Sequence, residues 1–406
     1  MPKKSGRKII VNDKRFAAML GAAFLMATSS VGPGFLTQTA VFTEQLLSSF
    51  AFAVLISIIL NAIIQVNIWQ IIAVTRKKGQ DIANAVFPGL GYVVSFFIVF
   101  GGLAFNIGNV AGGGLGLNAL FGLNTTLGAV ITAVICIMIF LSREAGIAMD
   151  RLVKILGALM IIVIAYVMFA NNPPYLQAFK YSVFPKNMSF LAIVTIVGGT
   201  IGGYITFAGA HRLLDVGVCG KKQLGNVTRT SLLGIGLSSL IRILLFLAVL
   251  GVVSTGFKLD PANPPASVFV YAAGRIGLIF FGVVLWAAAV TSVIGAAYTS
   301  VTFLSIFHKS IDKYKNRWII FFICFSTIIY IFIGRPVMLL IFAGAFNGLI
   351  LPLALGAILL AAHNKRIVKD YRHPIYMTIL GWLSFALTAF LAYETLTGSL
   401  FKLIKG

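Results

Sequence analysis

The stretch "SSVGPGFLTQTA", residues Ser29–Ala40, sets Gly32, Pro33 and Gly34 inside the first long apolar run of the chain. Proline lacks a backbone donor and glycine costs a helix interior conformational entropy, so a helix entering this run stops and restarts here. Unwound backbone at membrane depth is tolerated only where it lines a cavity or is buried in protein. A second run carries the same feature: "VGGTIGGYITFAGA", residues 197–210, holds two glycine pairs. The two breaks are expected to face each other with a solute between them. The competing reading is that these glycines only let helices cross closely, as small residues do in membrane bundles. Crossing alone does not call for Gly-Pro-Gly.

Composition agrees with a membrane setting. Of 406 residues, 59% are hydrophobic and 10% charged, whereas soluble domains run near a quarter charged. The net charge of +22 comes from short basic clusters between apolar runs, the pattern of cytoplasmic loops beside anionic lipid. A nucleic-acid partner is therefore not expected. Cys136, Cys219 and Cys324 stand apart, and His211, His308, His363 and His373 lie at the ends of apolar runs. They form no disulfide frame and no zinc cluster. No nucleophile–base or metal constellation marks an enzyme.

Eleven runs are long enough to cross about 30 Å of hydrocarbon. They lie near 16–47, 50–73, 91–120, 124–141, 152–170, 188–217, 228–254, 272–306, 317–333, 336–362 and 374–399. The tail and alternate loops, among them "TRKKGQD", "SREAGIAMDRLVK" and "HNKRIVKDYRH", hold 24 of the 32 basic residues. That bias predicts a multi-pass plasma-membrane protein with its N-terminus cytoplasmic and its C-terminus outside. Residues 1–15 are then a retained cytoplasmic tail. Runs one and six start on opposite sides, which predicts two inverted repeats, 16–170 and 188–362, followed by an eleventh helix at 374–399. The expected class is an all-α membrane protein with discontinuous first and sixth helices.

In order and spacing, the chain resembles the NRAMP divalent-metal transporters of the amino acid–polyamine–organocation superfamily, whose fold is the LeuT-like five-plus-five repeat. Pro33 and Gly34 are similar to that family's Asp-Pro-Gly-Asn segment. "IIQVNIWQIIAVT" followed by Asp81, "GLNALFG" at the end of run three, Gly198 and Thr200 in run six, and "AAAVTSVIGAAY" in run eight also resemble it. Where the resemblance places the family's metal-binding Asp and Asn this chain has Gly32 and Phe35, and where it places the Met ligand, the Pro and the His it has Gly202, Gly203 and Tyr204. Two acidic positions of the family's proton route correspond to Asn106 and Asn109, three apart on one helical face.

A divalent cation leaving water needs compensating and often anionic oxygens, and an uncompensated charge at the bilayer centre is costly. Glycine at a restarted helix does the opposite: it opens free N–H groups at a positive helix end, a ready anion site. The expected substrate-binding residues are Gly32, Pro33, Gly34, Phe35, Thr37, Gly199, Thr200, Gly202, Gly203, Tyr204 and Asn347, with Thr39 and Thr206 as nearby hydroxyls. Asn347, ahead of Pro352, is read as marking a break in run ten. The expected function is alternating-access transport of a small anion or carboxylate-bearing solute, such as bicarbonate, a short organic acid or an amino-acid-like compound. The alternatives are a divalent metal (manganese or magnesium) transporter and a non-transporting sensor or partner subunit.

Arg242, midway along run seven, either attracts the anion, pairs with Glu44, or snorkels to an interface. Asn61, Gln65, Asn67 and Gln70 read as interhelical hydrogen bonds. Thr291 and Ser292 sit where related transporters hold sodium, or simply bond back along their own helix. The coupling or electrostatic set is thus Glu44, Asn106, Asn109, Arg242, Thr291 and Ser292, with a proton or sodium as coupling ion, no resident cofactor, and a monomer as the expected state.

Overall fold

The computed structural model describes residues 19–399 except 24, 25 and 28. The expected tail, 1–15, lies outside the described residues. Helix α1 comprises the helical residues within 19–30, and α2, Pro33–Leu46, follows the first break. A single 3₁₀ turn then leads into α3 (Phe50–Thr75), α4 (Gly79–Val86), α5 (Leu90–Phe121), α6 (Thr125–Leu141), α7 (Arg143–Ala170) and α8 (Tyr175–Val183). The second break separates α9 (Phe190–Ile201) from α10 (Tyr204–Asp215). Next come α11 (Leu224–Val253), α12 (Pro264–Leu304), α13 (Lys309–Lys313), α14 (Lys315–Ile333), α15 (Pro336–His363), α16 (Lys365–Val368) and α17 (Ile375–Glu394). No strand occurs among the described residues.

Helix stands at all eleven expected places, but the lengths differ. Among the described residues, eight helices are long and apolar enough to cross a bilayer, or nine if the pair Gly157–Ala170 and Tyr175–Val183, bent by 108°, is one span. Two physical reasons separate this from eleven. Pro33–Thr75 forms one apolar stretch although the chain turns at Leu47–Ser49, and Thr125–Leu141 has only 17 residues. Helix α7 begins at Arg143, inside a segment expected to be loop. Charge makes a segment polar without ending a helix, since Arg and Glu are good helix formers. The short helix α8 lies between the fifth and sixth runs.

The break in run ten is a correction. Helix α15 runs from Pro336 to His363 with Pro352 inside it. Proline there removes one N–H, a loss that membrane helices accommodate through packed neighbours and local adjustment. Asn347 therefore lies on an intact helix.

Both breaks at runs one and six are present. At the first, the Val31 N–H closes α1 on Ala27 O (3.0 Å) and Gly32 is extended (ψ −178°). Pro33 occupies the first helical position of α2, where its fixed φ suits helix initiation and no N–H is missed. At the second, Gly202 caps α9 in extended conformation and Gly203 turns to φ 55°, ψ −124°, a region that needs glycine. The Thr206 hydroxyl bridges this break to Ile201 O (2.7 Å). Helix α2 is the hub: it packs against α5, α9, α11, α12 and α15. Helix α12 lies along α5, α15 along α9, and α11 along α3.

Candidate functional site

Residues 31–40 are buried without exception, so the first break is enclosed by other helices. Gly32 faces α12 and α5: a Cβ there would sit 2.9 Å from Ser292 Oγ and 3.6 Å from Asn109 Oδ1. The Asn109 amide also lies beside the Tyr204 hydroxyl at the start of α10. The Tyr204 ring meets Phe105 edge-on at 5.5 Å. Break one, break two, α5 and α12 therefore meet around Asn109.

The broken helices are also tied directly. Ser30 Oγ donates to Thr200 O (2.7 Å), joining α1 to α9. Gln38 of α2 donates through Nε2 to Leu340 O of α15 (2.8 Å), and its amide fills the space that side chains at Gly199 and Gly344 would occupy. On α15, Asn347 Nδ2 donates to Gly101 O (2.9 Å) and Ala343 O (2.8 Å), while its Oδ1 lies against Gly203. Asn347 reaches break two from an intact helix, not from a break of its own. Gly198 does match the close-crossing reading, since a Cβ there would collide with the backbone of α15 at Gly344 and Gly348.

First-turn N–H groups of a helix have no carbonyl one turn back. In α2, Leu36 N–H returns to Gly32 O (3.3 Å), leaving Gly34 and Phe35 N–H as the donors of the restarted helix. Nearby are buried side-chain atoms without a hydrogen-bond partner: Thr37 Oγ1, Gln38 Oε1, Thr39 Oγ1, Asn109 Nδ2, Ser292 Oγ and Asn347 Oδ1. Buried polar groups are nearly always paired, so a cluster of orphans calls for a solute or water. Every member of this set is neutral. Among the described residues, no three His, Cys, Asp or Glu side chains gather into a potential metal site.

The structure separates the expected coupling residues. Asn109 reaches the breaks, but Asn106 turns to α14 and donates to Ser326 Oγ (2.8 Å), so the two address different neighbours. A spacing of three turns the second residue by about 60° around the helix, enough to address a different neighbour. Thr291 bonds back to Ala287 O and Ala288 O (3.2 and 3.0 Å), whereas Ser292 beside it faces Gly32. Thr200 Oγ1 also bonds back, to Ile196 O (2.7 Å). Glu44 accepts from Leu259 N–H (3.0 Å) and does not pair with Arg242. Among the described residues the one ion pair is Lys221–Asp370, on the surface.

Arg242 is fully buried. Its Nη1 donates to Ser57 Oγ of α3 (2.8 Å), and its guanidinium carbon lies 6.0 Å from the Phe35 ring centroid. Of the polar residues expected to join helices along α3, Gln65 bonds Ser231 Oγ (3.1 Å), Asn67 bonds Ile63 O (2.8 Å) and the His373 ring (2.7 Å), and Gln70 bonds Thr228 Oγ1 (2.9 Å). Asn61 bonds nothing through either amide atom. Gln38, Ser30 and Ser57 went unnoticed in the sequence. Gln38 lies six residues beyond Gly32, in the stretch that was read for its glycines and threonines.

Comparison with known proteins bears on this geometry. A family model described as natural resistance-associated macrophage protein-like, Nramp, matches residues 23–398. A Haemophilus influenzae protein described as an uncharacterized membrane protein is 54% identical over 379 residues, 93% of this chain and 96% of its own length. A crystal structure of the Eremococcus coleocola manganese transporter with a bis-isothiourea compound superposes with TM-score 0.73 at 15% identity, covering 97% of this chain and 88% of that one. MhsT in complex with L-phenylalanine superposes with TM-score 0.65 at 15% identity, covering 93% of this chain and 98% of that one.

Proposed function

Because the chain belongs to the Nramp family of membrane transporters, we propose that it is a secondary transporter of a small carboxylate-bearing or other anionic solute, bound between the two helix breaks and released by alternating access. The observation that carries this is the chemistry around Gly32: free N–H groups of a restarted helix, opposite neutral, unpartnered Ser292 Oγ and Asn109 Nδ2. Helix N-termini favour negative charge, and half-helix N-termini in transporters point at anionic groups. A dehydrated divalent cation would meet amide dipoles of the wrong sign and no carboxylate to offset its charge. The common fold itself accommodates both chemistries, since one structural neighbour is a manganese transporter and another was crystallised with L-phenylalanine, which bears a carboxylate.

A second reading stands beside it. Family membership and the manganese-transporter neighbour favour transport of a divalent metal over transport of an anion. In that case backbone carbonyls at the ends of α1 and α9, with waters, supply the ligands.

Proteoliposomes separate the two. The anion reading expects uptake of labelled acetate, glycolate, lactate or bicarbonate, with Gly32→Asp abolishing it because the new carboxylate would sit beside Asn109 Oδ1 and Ser292 Oγ. Manganese uptake by the unmodified protein, with none of the four anions carried, rejects the anion reading in favour of the metal one.

A further inference from the structure

Among the described residues, no acid forms an ion pair with the buried Arg242. Guanidinium groups stay protonated in proteins, and taking such a charge out of water costs several kcal/mol unless it is paired. Arg242 is fully buried, and its described partners are one hydroxyl, Ser57 Oγ, and the face of Phe35. Its Nε and Nη2 have no partner. These two donors share one edge of the guanidinium, the edge that meets both oxygens of a carboxylate in a bidentate pair.

The surroundings of this edge are specific. Phe35 belongs to the first turn of α2, so the charge stands one ring away from the restarted helix. Helices α3 and α11 are antiparallel and joined at Ser57–Arg242 and at Gln65–Ser231. Asn61 lies between those contacts, one helical turn and about 6 Å along the axis from Ser57. It is fully buried, with Nδ2 and Oδ1 both unpartnered. Gln65 Oε1 and Ser239 Oγ, on the same two helices, are unpartnered as well. A cation with a free bidentate edge therefore sits a turn from a neutral group able both to donate and to accept.

We propose that Arg242, Ser57 and Asn61 form the carboxylate subsite of the transporter. Arg242 takes the carboxylate through Nε and Nη2, and Asn61 reads a neutral hydroxyl or amide on the same small molecule, in a second station beside the Phe35 ring that the solute occupies before or after the break. The substrate class is then a short monocarboxylate bearing a neutral polar group, not bicarbonate and not a dicarboxylate. This rests on the anion reading of the break and narrows it.

The test uses the full-length protein in liposomes, with labelled acetate, propionate, lactate and glycolate, and with bicarbonate and manganese as competitors. At least one hydroxy acid is carried with a lower KM than the acid lacking the hydroxyl. Arg242→Gln raises that KM about a hundredfold or more, the scale of breaking a buried charge pair. Arg242→Lys, which keeps charge but loses the fork, gives an intermediate value. Asn61→Leu removes the preference for lactate over propionate. Folding of each variant is checked by melting and gel filtration, and if Arg242→Gln does not fold, Ser57→Ala and Asn61→Leu decide. If wild type carries a carboxylate and these folded variants keep its KM and its selectivity, the subsite is wrong while the anion reading stands. If wild type carries none of the acids but takes up labelled bicarbonate, the subsite is wrong while the anion reading stands; if it carries neither, both fall.

Discussion

Gly203→Ala tests the second break at the level of backbone geometry. The residue has φ 55° and ψ −124°, and a Cβ there would collide with Asn347 Oδ1. The backbone term is about 1–3 kcal/mol for a side chain forced into a sparsely populated region. Moving Asn347 aside also disturbs its bonds to Gly101 O and Ala343 O, each worth about 0.5–1.5 kcal/mol. The sum is about 2–6 kcal/mol, with a fall in melting temperature of roughly 1 °C per kcal/mol at this chain length. Gly217→Ala is the control. Gly217 has φ 75° but nothing within 4 Å of the added carbon, so only the backbone term of about 1–2 kcal/mol applies. The assay is thermal melting of purified protein, run beside uptake in liposomes, with Asn347→Ala alone and combined with Gly203→Ala. The collision predicts that Gly203→Ala costs less in the Asn347→Ala background than in wild type. Strict additivity, or a Gly203→Ala protein that melts no lower than Gly217→Ala, refutes the packing of break two described above.

Two further outcomes are expected elsewhere in the molecule. His373, between α16 and α17, has its pKa pushed down to about 4 by burial first and by the charge of His363 second, and its ring contacts Asn67 Oδ1 (2.7 Å) and the Tyr371 hydroxyl (3.2 Å). Between that value and the ordinary 6.5 the unfolded chain binds a proton that the folded one does not, so stability rises with pH across this window and falls on acidification. Melting temperature measured from pH 7 to pH 5 should drop more steeply in wild type than in His373→Asn, and equal slopes would contradict it. Gln38→Leu removes the side-chain donor that the Leu340 carbonyl has in addition to its own helix, and sets a branched side chain against Gly199 and Gly344. It should destabilise by about 1–3 kcal/mol, read as a lowered denaturation midpoint, and an unchanged midpoint would show that Gln38 does not join α2 to α15.

The membrane class, the places of the eleven helical segments and the two breaks were legible in the chain because each rests on local physics. Hydrocarbon selects long apolar runs, Pro33 cannot continue a helix from α1, and Gly203 supplies a conformation other residues resist. Which side chains meet across the breaks is a different kind of question, because neighbours in space are far apart in sequence and one residue of rotation changes the partner. Asn106 and Asn109 look alike in the chain, yet one turns to Ser326 and the other to Tyr204 and Gly32. Thr291 and Ser292 are adjacent, yet one bonds its own helix and the other faces the break. Asn347 was expected to report a broken helix and instead reaches Gly203 from an intact one. Glu44 was the acid within reach of Arg242 by sequence, and tertiary packing gave it to the backbone of Leu259. Local sequence determined where the chain unwinds; only the packing of α2 among α5, α9, α11, α12 and α15 decided which polar atoms meet there and which remain unpaired.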